Sequence, residues 1–174
     1  MILMSEISVD EFNFEKFKQV VHYIISKTDS SRYQNVGKKV LFKLLYFNDF
    51  NYYEVTELKM TGETYVKLAH GPAPKHFDEA IRDLKHAKCV SETHVNYYGH
   101  NQIRYLSKKS PTISLLSGTE IQQIDDTLNR YSTMNGSQIE ALSHKDIPWM
   151  AEELNTPLDY EMVFYRSAEM SIRP

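Results

Sequence analysis

Hydrophobic residues recur at helical spacing in several stretches of the chain, and polar or turn-forming segments separate them. Asn13 precedes the first stretch as a predicted N-cap, with Phe12 and Phe17 at the positions of a hydrophobic staple. The first predicted helix begins at Asn13, the second runs from about Val36 to Tyr53, and the third runs from Phe77 to about Lys88. The fourth begins at Ser117, the fifth runs from about Gly136 to Leu142, and the last begins near Asp159.

Alternation of apolar and polar residues predicts strands in the middle of the chain. One strand is expected at Thr64–His70, and two more, Cys89–Tyr97 and Gln102–Ser107, form a hairpin that turns at Gly99. No linker or repeat divides the sequence, so residues 1–174 are predicted to form one domain. We therefore expect a mostly helical α+β fold with a small antiparallel sheet, a strand plus a β-hairpin, between two helical groups.

The segment "AHGPAPKHF" lies between the first strand and the helix at Phe77. Gly71 permits unusual backbone angles, Pro72 fixes φ after it, and Pro74 is placed in the first turn of the helix, so we predict a rigid corner between strand and helix. His70 and His76 do not have the spacing of common metal-ligand pairs, so no metal and no cofactor are expected.

The second predicted helix carries an unusual number of aromatic residues. Phe42, Tyr46, Phe50 and Tyr53 follow one another at steps of three and four, with Asp49 among them. Packing in the core explains most stripes of this kind. The other interpretation is that part of this helix stays open and contacts a partner, because tyrosines are enriched in interface hot spots.

Composition and charge exclude several classes of protein. The net charge of -3 and the pI of about 6.2 argue against a protein whose main partner is a nucleic acid. Cys89 is the single cysteine, so no intramolecular disulfide forms, as in a reducing compartment. The first residues lack the basic start of a signal peptide, and the apolar runs are too short to cross a bilayer. We expect a cytoplasmic protein without a membrane partner.

Two other functions have some support in the sequence. The order of the elements resembles a winged helix, in which Arg32, Lys38, Lys39 and Lys43 would contact DNA phosphates, although the second helix is too apolar and the hairpin tip too poor in cations. A hydrolase would need Asp49, His70 and His144 within hydrogen-bond reach of one another. No nucleophile or phosphate-loop motif supports an enzyme, so we expect none.

Four segments together resemble the Panacea domain family, also described as SocA-like, phage-associated antitoxins of prokaryotic toxin–antitoxin systems. They are "KLLYFNDF" at Lys43–Phe50, "TGETYVKLAHGPAPKHF" at Thr61–Phe77, "LSHKDIPW" at Leu142–Trp149 and "PLDYEMVFYR" at Pro157–Arg166. The chain departs from the commonest family pattern at Asn48, where a small residue often lies, and at His70, where an aromatic residue is usual.

The resemblance implies an interaction protein that neutralises a cognate toxin encoded by a neighbouring gene, by direct contact. One member type is instead an adaptor that delivers its toxin to a cellular protease. We expect the partner to meet an apolar, tyrosine-rich surface built from the second helix, the proline corner and the adjoining strand, while Leu142 and Trp149 pack internally. The candidate contact residues are Tyr46, Asp49, Phe50, Tyr65, His70, Pro72 and Pro74.

Overall fold

The computed structural model describes residues 11–29, 36–131 and 133–174. Its helices are α1 (Phe14–Thr28), α2 (Lys38–Thr56), α3 (Phe77–His86), α4 (Gly118–Tyr131), α5 (Gly136–His144) and α6 (Ile147–Met150), followed by a 3₁₀ helix at Tyr160–Tyr165. The strands are β1 (Tyr65–Leu68), β2 (Gly71–Pro74), β3 (Val90–Tyr97) and β4 (His100–Ser107). The predicted class, mostly helical α+β with small antiparallel pairing, is confirmed.

Local signals determine where several helices begin. The Asn13 side chain accepts a hydrogen bond from the Lys16 N–H at 3.0 Å, and the rings of Phe12 and Phe17 lie 6.0 Å apart. The predicted N-cap and staple of α1 are therefore present. At α4, which was predicted to begin at Ser117, the Glu120 N–H donates to Ser117 Oγ and the Ser117 N–H donates to Glu120 Oε1, so the two residues form a capping box.

Helix α2 lies at the centre of the fold. It packs against β2, α4, α5 and the 3₁₀ helix, and is buried on nearly every side. Its buried residues include polar ones, Lys43, Asn48, Asp49, Asn51 and Glu54, as well as the aromatic stripe. Side chains outside α2 supply hydrogen-bond partners for four of these polar residues, Asn48, Asp49, Asn51 and Glu54.

The proline segment differs from the prediction, because Gly71–Pro74 is a strand and not a corner. β2 pairs with β1 in antiparallel register, with Tyr65 opposite Pro74 and Lys67 opposite Pro72. Tyr65 and Lys67 direct their backbone bonds to residues 155–158 on the far side of β1. Pro72 and Pro74 lie opposite these two residues, at positions of β2 where a backbone N–H would point away from β1. The lack of an N–H on proline therefore removes no hydrogen bond between β1 and β2.

Pro74 consequently does not begin a helix, and α3 starts three residues later at Phe77. The sequence predicted one small sheet made of a strand and a hairpin. The structure instead has two separate two-stranded sheets, one of β1 and β2 and one of β3 and β4. The last helix is of the 3₁₀ type, with Asp159 as the predicted N-terminal residue accepting from the Glu161 N–H. Among the helices in the described ranges, none is long and apolar enough to span a bilayer.

Candidate functional site

Residues from three sequence motifs meet where β2 begins. Gly71 has φ of 126°, and a Cβ atom there would lie 2.8 Å from Lys43 Cε and 3.0 Å from Ser143 Oγ. The positive φ favours glycine, and a Cβ at this position would also require the flexible end of the Lys43 side chain to shift. Lys43 comes from "KLLYFNDF", Gly71 from the proline segment and Ser143 from "LSHKDIPW". We call these three residues the motif junction.

Lys43 is an unusual buried cation. Only 4% of its surface is exposed, and its amine has no hydrogen bond or ion pair with any residue in the described ranges. Burial lowers the pKa of Lys43, the negative charge of Glu140 raises it in part, and the positive charge of Lys39 lowers it again. The amine nitrogen is not among the fully enclosed polar side-chain atoms that lack a partner in the described ranges, so the stem of Lys43 is buried while its amine keeps contact with solvent.

A cleft of about 590 Å³ opens beside the motif junction, and Lys43 is one of its lining residues. Its walls are the N-terminal ends of α2 and α5, the turn between β3 and β4, and His70. The cationic side is formed by Lys38, Lys39 and Lys43, and Tyr97 and Tyr98 lie on the hairpin side. We call this the α2–α5 cleft.

The other charged groups of the α2–α5 cleft are partly paired. Lys38 Nζ donates to Asp78 Oδ1 at 2.8 Å, and His70 Nδ1 lies 2.9 Å from Glu140 Oε1. Lys39 is exposed and His100 lies at the exposed hairpin turn. Glu140 is the acidic residue among the lining side chains, so positive charge predominates there.

A second surface surrounds the tip of the β1–β2 hairpin. Trp149 Nε1–H donates to the Leu68 carbonyl at 3.1 Å, and the Asn155 N–H donates to the Lys67 carbonyl at 2.8 Å. These bonds hold the 149–155 segment against the end of β1. The segment and the strand together expose three apolar side chains, with exposed fractions of 41%, 54% and 56%: Leu68, Met150 and Leu154. With His70 they form what we call the hairpin-tip surface.

Beneath these surfaces lies a buried ion network centred on Arg166. Its guanidinium donates to both carboxylate oxygens of Asp146, at 2.9 and 2.7 Å, and to Glu54 Oε1 and Asn51 Oδ1, each at 2.8 Å. The Tyr46 hydroxyl donates to Asp146 Oδ2 at 2.8 Å. The network joins α2, the start of α6 and the end of the 3₁₀ helix.

The charges of this network are maintained by its internal pairing. Burial by itself would raise the pKa of Glu54, but hydrogen bonds from Ser171, the Ile172 N–H and Arg166 outweigh it and lower the pKa. Arg166 is itself held charged, because Asp146 and Glu54 overcome the effect of its burial and raise its pKa. Bidentate pairing suits the planar guanidinium, so the network fixes both orientation and charge.

Asp49 forms a different buried cluster. Its carboxylate accepts hydrogen bonds from the Tyr65 hydroxyl at 2.5 Å and from Thr61 Oγ1 at 3.0 Å. Burial raises the pKa of Asp49 from its ordinary 3.8 to about 7, although those hydrogen bonds act in the opposite direction. No cation is bound to Asp49 among the described residues, in contrast to Asp146.

The structure brings most of the predicted contact residues together, but in the interior. Tyr46, Phe50 and Tyr65 have no exposed surface and Asp49 has 1%, while the rings of Tyr46 and Phe50 lie 4.5 Å apart. Pro72 and Pro74 are buried too, and His70 is exposed. The expected aromatic face of α2 is therefore not at the surface. That these buried residues take part in partner binding stays a prediction. They could act only indirectly, by supporting the side chains at the surface.

The grouping that a hydrolase would need does not form. Asp49 bonds to Tyr65 and Thr61, His70 bonds to Glu140, and His144 stacks on Trp149 with ring centroids 4.3 Å apart. No hydrogen bond joins any two of the three within the described ranges. Nor do three histidine, cysteine or acidic side chains of those ranges group as metal ligands would.

The winged-helix alternative meets a similar difficulty. α2 lies at the centre of the fold and Lys43 is buried, so this helix cannot enter a DNA groove as it stands. Arg32 lies outside the described residues. The turn between β3 and β4 exposes Tyr98, 86% accessible, where a DNA-binding wing would present cations.

Sequence reasoning missed the residues of the buried network and the solitary position of Lys43. Glu54 and Arg166 carried a usable signal, because each directly follows two aromatic residues, whereas Asp146 has polar neighbours, His144 and Lys145. Charged residues in such positions are commonly paired in the interior. The long-range contacts that unite positions 54, 146 and 166 could not be read from spacing alone.

Comparison with known families gives one match. The family described as "Antitoxin SocA-like, Panacea domain" matches residues 41–150, which include the motif junction and most of the α2–α5 cleft. Comparisons with curated proteins and with solved structures gave no significant match.

Proposed function

The chain belongs to the family of SocA-like antitoxins with a Panacea domain, and on this premise we propose that it binds and neutralises a toxin encoded by a neighbouring gene. Neutralisation is by direct protein–protein contact in the cytoplasm. The observation that carries the proposal, beside the family, is the exposed hairpin-tip surface, which lies within and next to the matched segment.

The hairpin-tip surface has the composition of a contact site. It combines exposed apolar side chains with the half-buried indole of Trp149, whose ring also lies under Lys67 Nζ at 4.0 Å from the centroid. Exposed apolar groups gathered at one place favour association, and a bordering cation and histidine supply polar contacts at the rim. His70, at the turn, is the exposed member of the contact residues predicted from the sequence.

The surface is held in position by the buried elements beneath it. The Tyr65 hydroxyl donates to the Leu45 carbonyl of α2 at 2.9 Å, and the Leu158 N–H donates to the Tyr65 carbonyl at 2.8 Å. β1 is thus tied to α2 on one side and to the 155–158 segment on the other. A preordered surface loses little conformational entropy on binding, which favours tight capture of a toxin.

The test is co-expression with the product of the neighbouring gene. We expect that product to arrest growth alone, to be tolerated with this chain, and to co-purify with it. The double variant Leu68→Ser, Met150→Ser should lose both rescue and co-purification. Leu106→Ser is the matched control, because Leu106 is similarly exposed, at 39%, but lies on β4. A harmless neighbour, or full rescue by the double variant, would refute the proposal.

The same experiment detects the adaptor mechanism. An adaptor would make the toxin disappear in cells that contain the protease and would leave it intact in cells that lack it. Direct neutralisation leaves a stable complex in both strains.

A further inference from the structure

The solitary amine of Lys43 has no part in the proposed toxin contact and calls for its own explanation. Its methylene stem passes over Gly71, and the glycine leaves room for it. Lys43 thus extends its buried stem over a position without a Cβ and brings to the α2–α5 cleft an amine that touches no counter-ion among the described residues. An amine placed in this way can take its counter-ion from a ligand.

Two helix N-termini reinforce the positive charge at this place. α2 begins at Gly37 without a side-chain cap, and its first turn contains Lys38 and Lys39 but no acidic residue. Cations are unfavourable at that end of a helix, where acidic residues are usual. α5 also opens into the cleft without an acidic residue in its first turn. Its capping box uses the N–H groups of Asn135 and Gln138, and the first-turn residues Gly136 and Ser137, whose N–H groups take no part in that box, line the cleft.

The opposite wall of the cleft is aromatic. Tyr97 and Tyr98 lie there with ring centroids 4.7 Å apart and nearly perpendicular planes, and Tyr98 is exposed. A volume of about 590 Å³ is larger than an inorganic phosphate needs and falls within the range of small-molecule sites. A flat ring can stack on a tyrosine at this wall while an anion occupies the lysine side.

We propose that the α2–α5 cleft binds a phosphate-bearing small molecule of the nucleotide class. The phosphates contact Lys43, Lys39 and the N–H groups at the starts of α2 and α5, and the base stacks against Tyr97 or Tyr98. Lys38, paired with Asp78, and His100 add positive charge at the rim. This ligand site is separate from the hairpin-tip surface, and the two adjoin at His70.

Glu140 is the group in the cleft that opposes an anion. Its carboxylate lies 2.9 Å from His70 Nδ1 and also acts on Lys43 through its charge. An arriving phosphate would be repelled by Glu140 and attracted by the lysines. Removing this carboxylate should therefore strengthen binding, whereas removing the Lys43 amine should weaken it.

The proposal is tested on the isolated full chain by isothermal titration calorimetry with ADP, pyrophosphate and adenosine at constant ionic strength. We expect saturable binding of ADP with one site per chain. Lys43→Met should weaken it by about tenfold or more, because a charge-assisted contact is lost. Lys108→Met, which removes an exposed lysine outside the cleft, should leave it unchanged, and Glu140→Gln should strengthen it.

Thermal unfolding shows whether Lys43→Met remains folded. Its midpoint should lie close to that of the parent, because methionine replaces the buried stem of Lys43 with an apolar side chain of similar volume. No saturable ADP binding, or equal binding by Lys43→Met, would overturn the site. Pyrophosphate binding as tightly as ADP would overturn the assignment of the aromatic wall. No toxin is present in these measurements, so their outcome does not depend on the toxin proposal.

Discussion

Asp49 allows a sharp test of the buried architecture, through the substitution Asp49→Asn. The raised pKa of Asp49, about 7 against an ordinary 3.8, means that the folded state binds a proton which the unfolded state has already lost at neutral pH. Stability from this group is complete below pH 3.8 and is lost as the pH rises through 7. The amide introduced by the substitution has no titrating proton, but it retains an oxygen that accepts from Tyr65 and Thr61.

The size of the effect follows from proton linkage. With a folded pKa of about 7, Asp49 carries about 0.9 proton at pH 6 and about 0.1 at pH 8, while the unfolded chain carries almost none. Integration over this interval gives a loss of about 1.4 kcal/mol in the free energy of unfolding of the parent. A protein of this size should show a fall of about 3–6 °C in thermal midpoint.

The assay is urea unfolding of the parent and of Asp49→Asn at pH 6 and pH 8. The two proteins differ only at position 49, so the difference between their two pH dependences isolates Asp49. We expect the parent to lose about 1.4 kcal/mol more than the variant over this interval. Parallel losses in the two proteins would show that Asp49 does not titrate near neutrality, and the reasoning from burial would be refuted.

Three further variants test other contacts. Arg166→Met leaves Asp146 and Glu54 without their buried cation and should lower the free energy of unfolding by about 3–5 kcal/mol, measured by urea unfolding. Gly71→Ala places a Cβ 2.8 Å from Lys43 Cε at φ 126° and should cost about 1–3 kcal/mol, with Ala73→Gly in the same strand as a comparison. Asn13→Ala removes the cap of α1 and should cost about 1 kcal/mol, whereas Asn13→Asp should cost little.

The helices were predictable because their signals are local. The cap at Asn13 and the box at Ser117 and Glu120 involve residues only a few positions apart, so sequence spacing contains the whole interaction. The hairpin of β3 and β4 was predictable for the same reason, since its strands join at a turn with Gly99 at φ of 80°.

The proline strand and the site depend on distant parts of the chain. Pro72 and Pro74 suit a strand only because Lys67 and Tyr65 turn their backbone groups to residues 155–158, about 90 positions away. Tyr46 was predicted to contact a partner because tyrosines are enriched in interfaces, but its hydroxyl donates to the buried carboxylate of Asp146. Residue spacing does not show which polar groups form hydrogen bonds in the interior. Those buried hydrogen bonds determine whether an aromatic stripe with polar groups can be part of the core or must stay at the surface.

The Arg166 network has a consequence for the order of synthesis. Glu54 and Asp146 leave the ribosome before Arg166, so the growing chain holds two carboxylates whose enclosed positions require a cation that has not yet been made. α2 cannot settle at the centre of the fold at low cost until residue 166 emerges. The central position of α2 should therefore become stable only late in synthesis, once the cation of Arg166 is present.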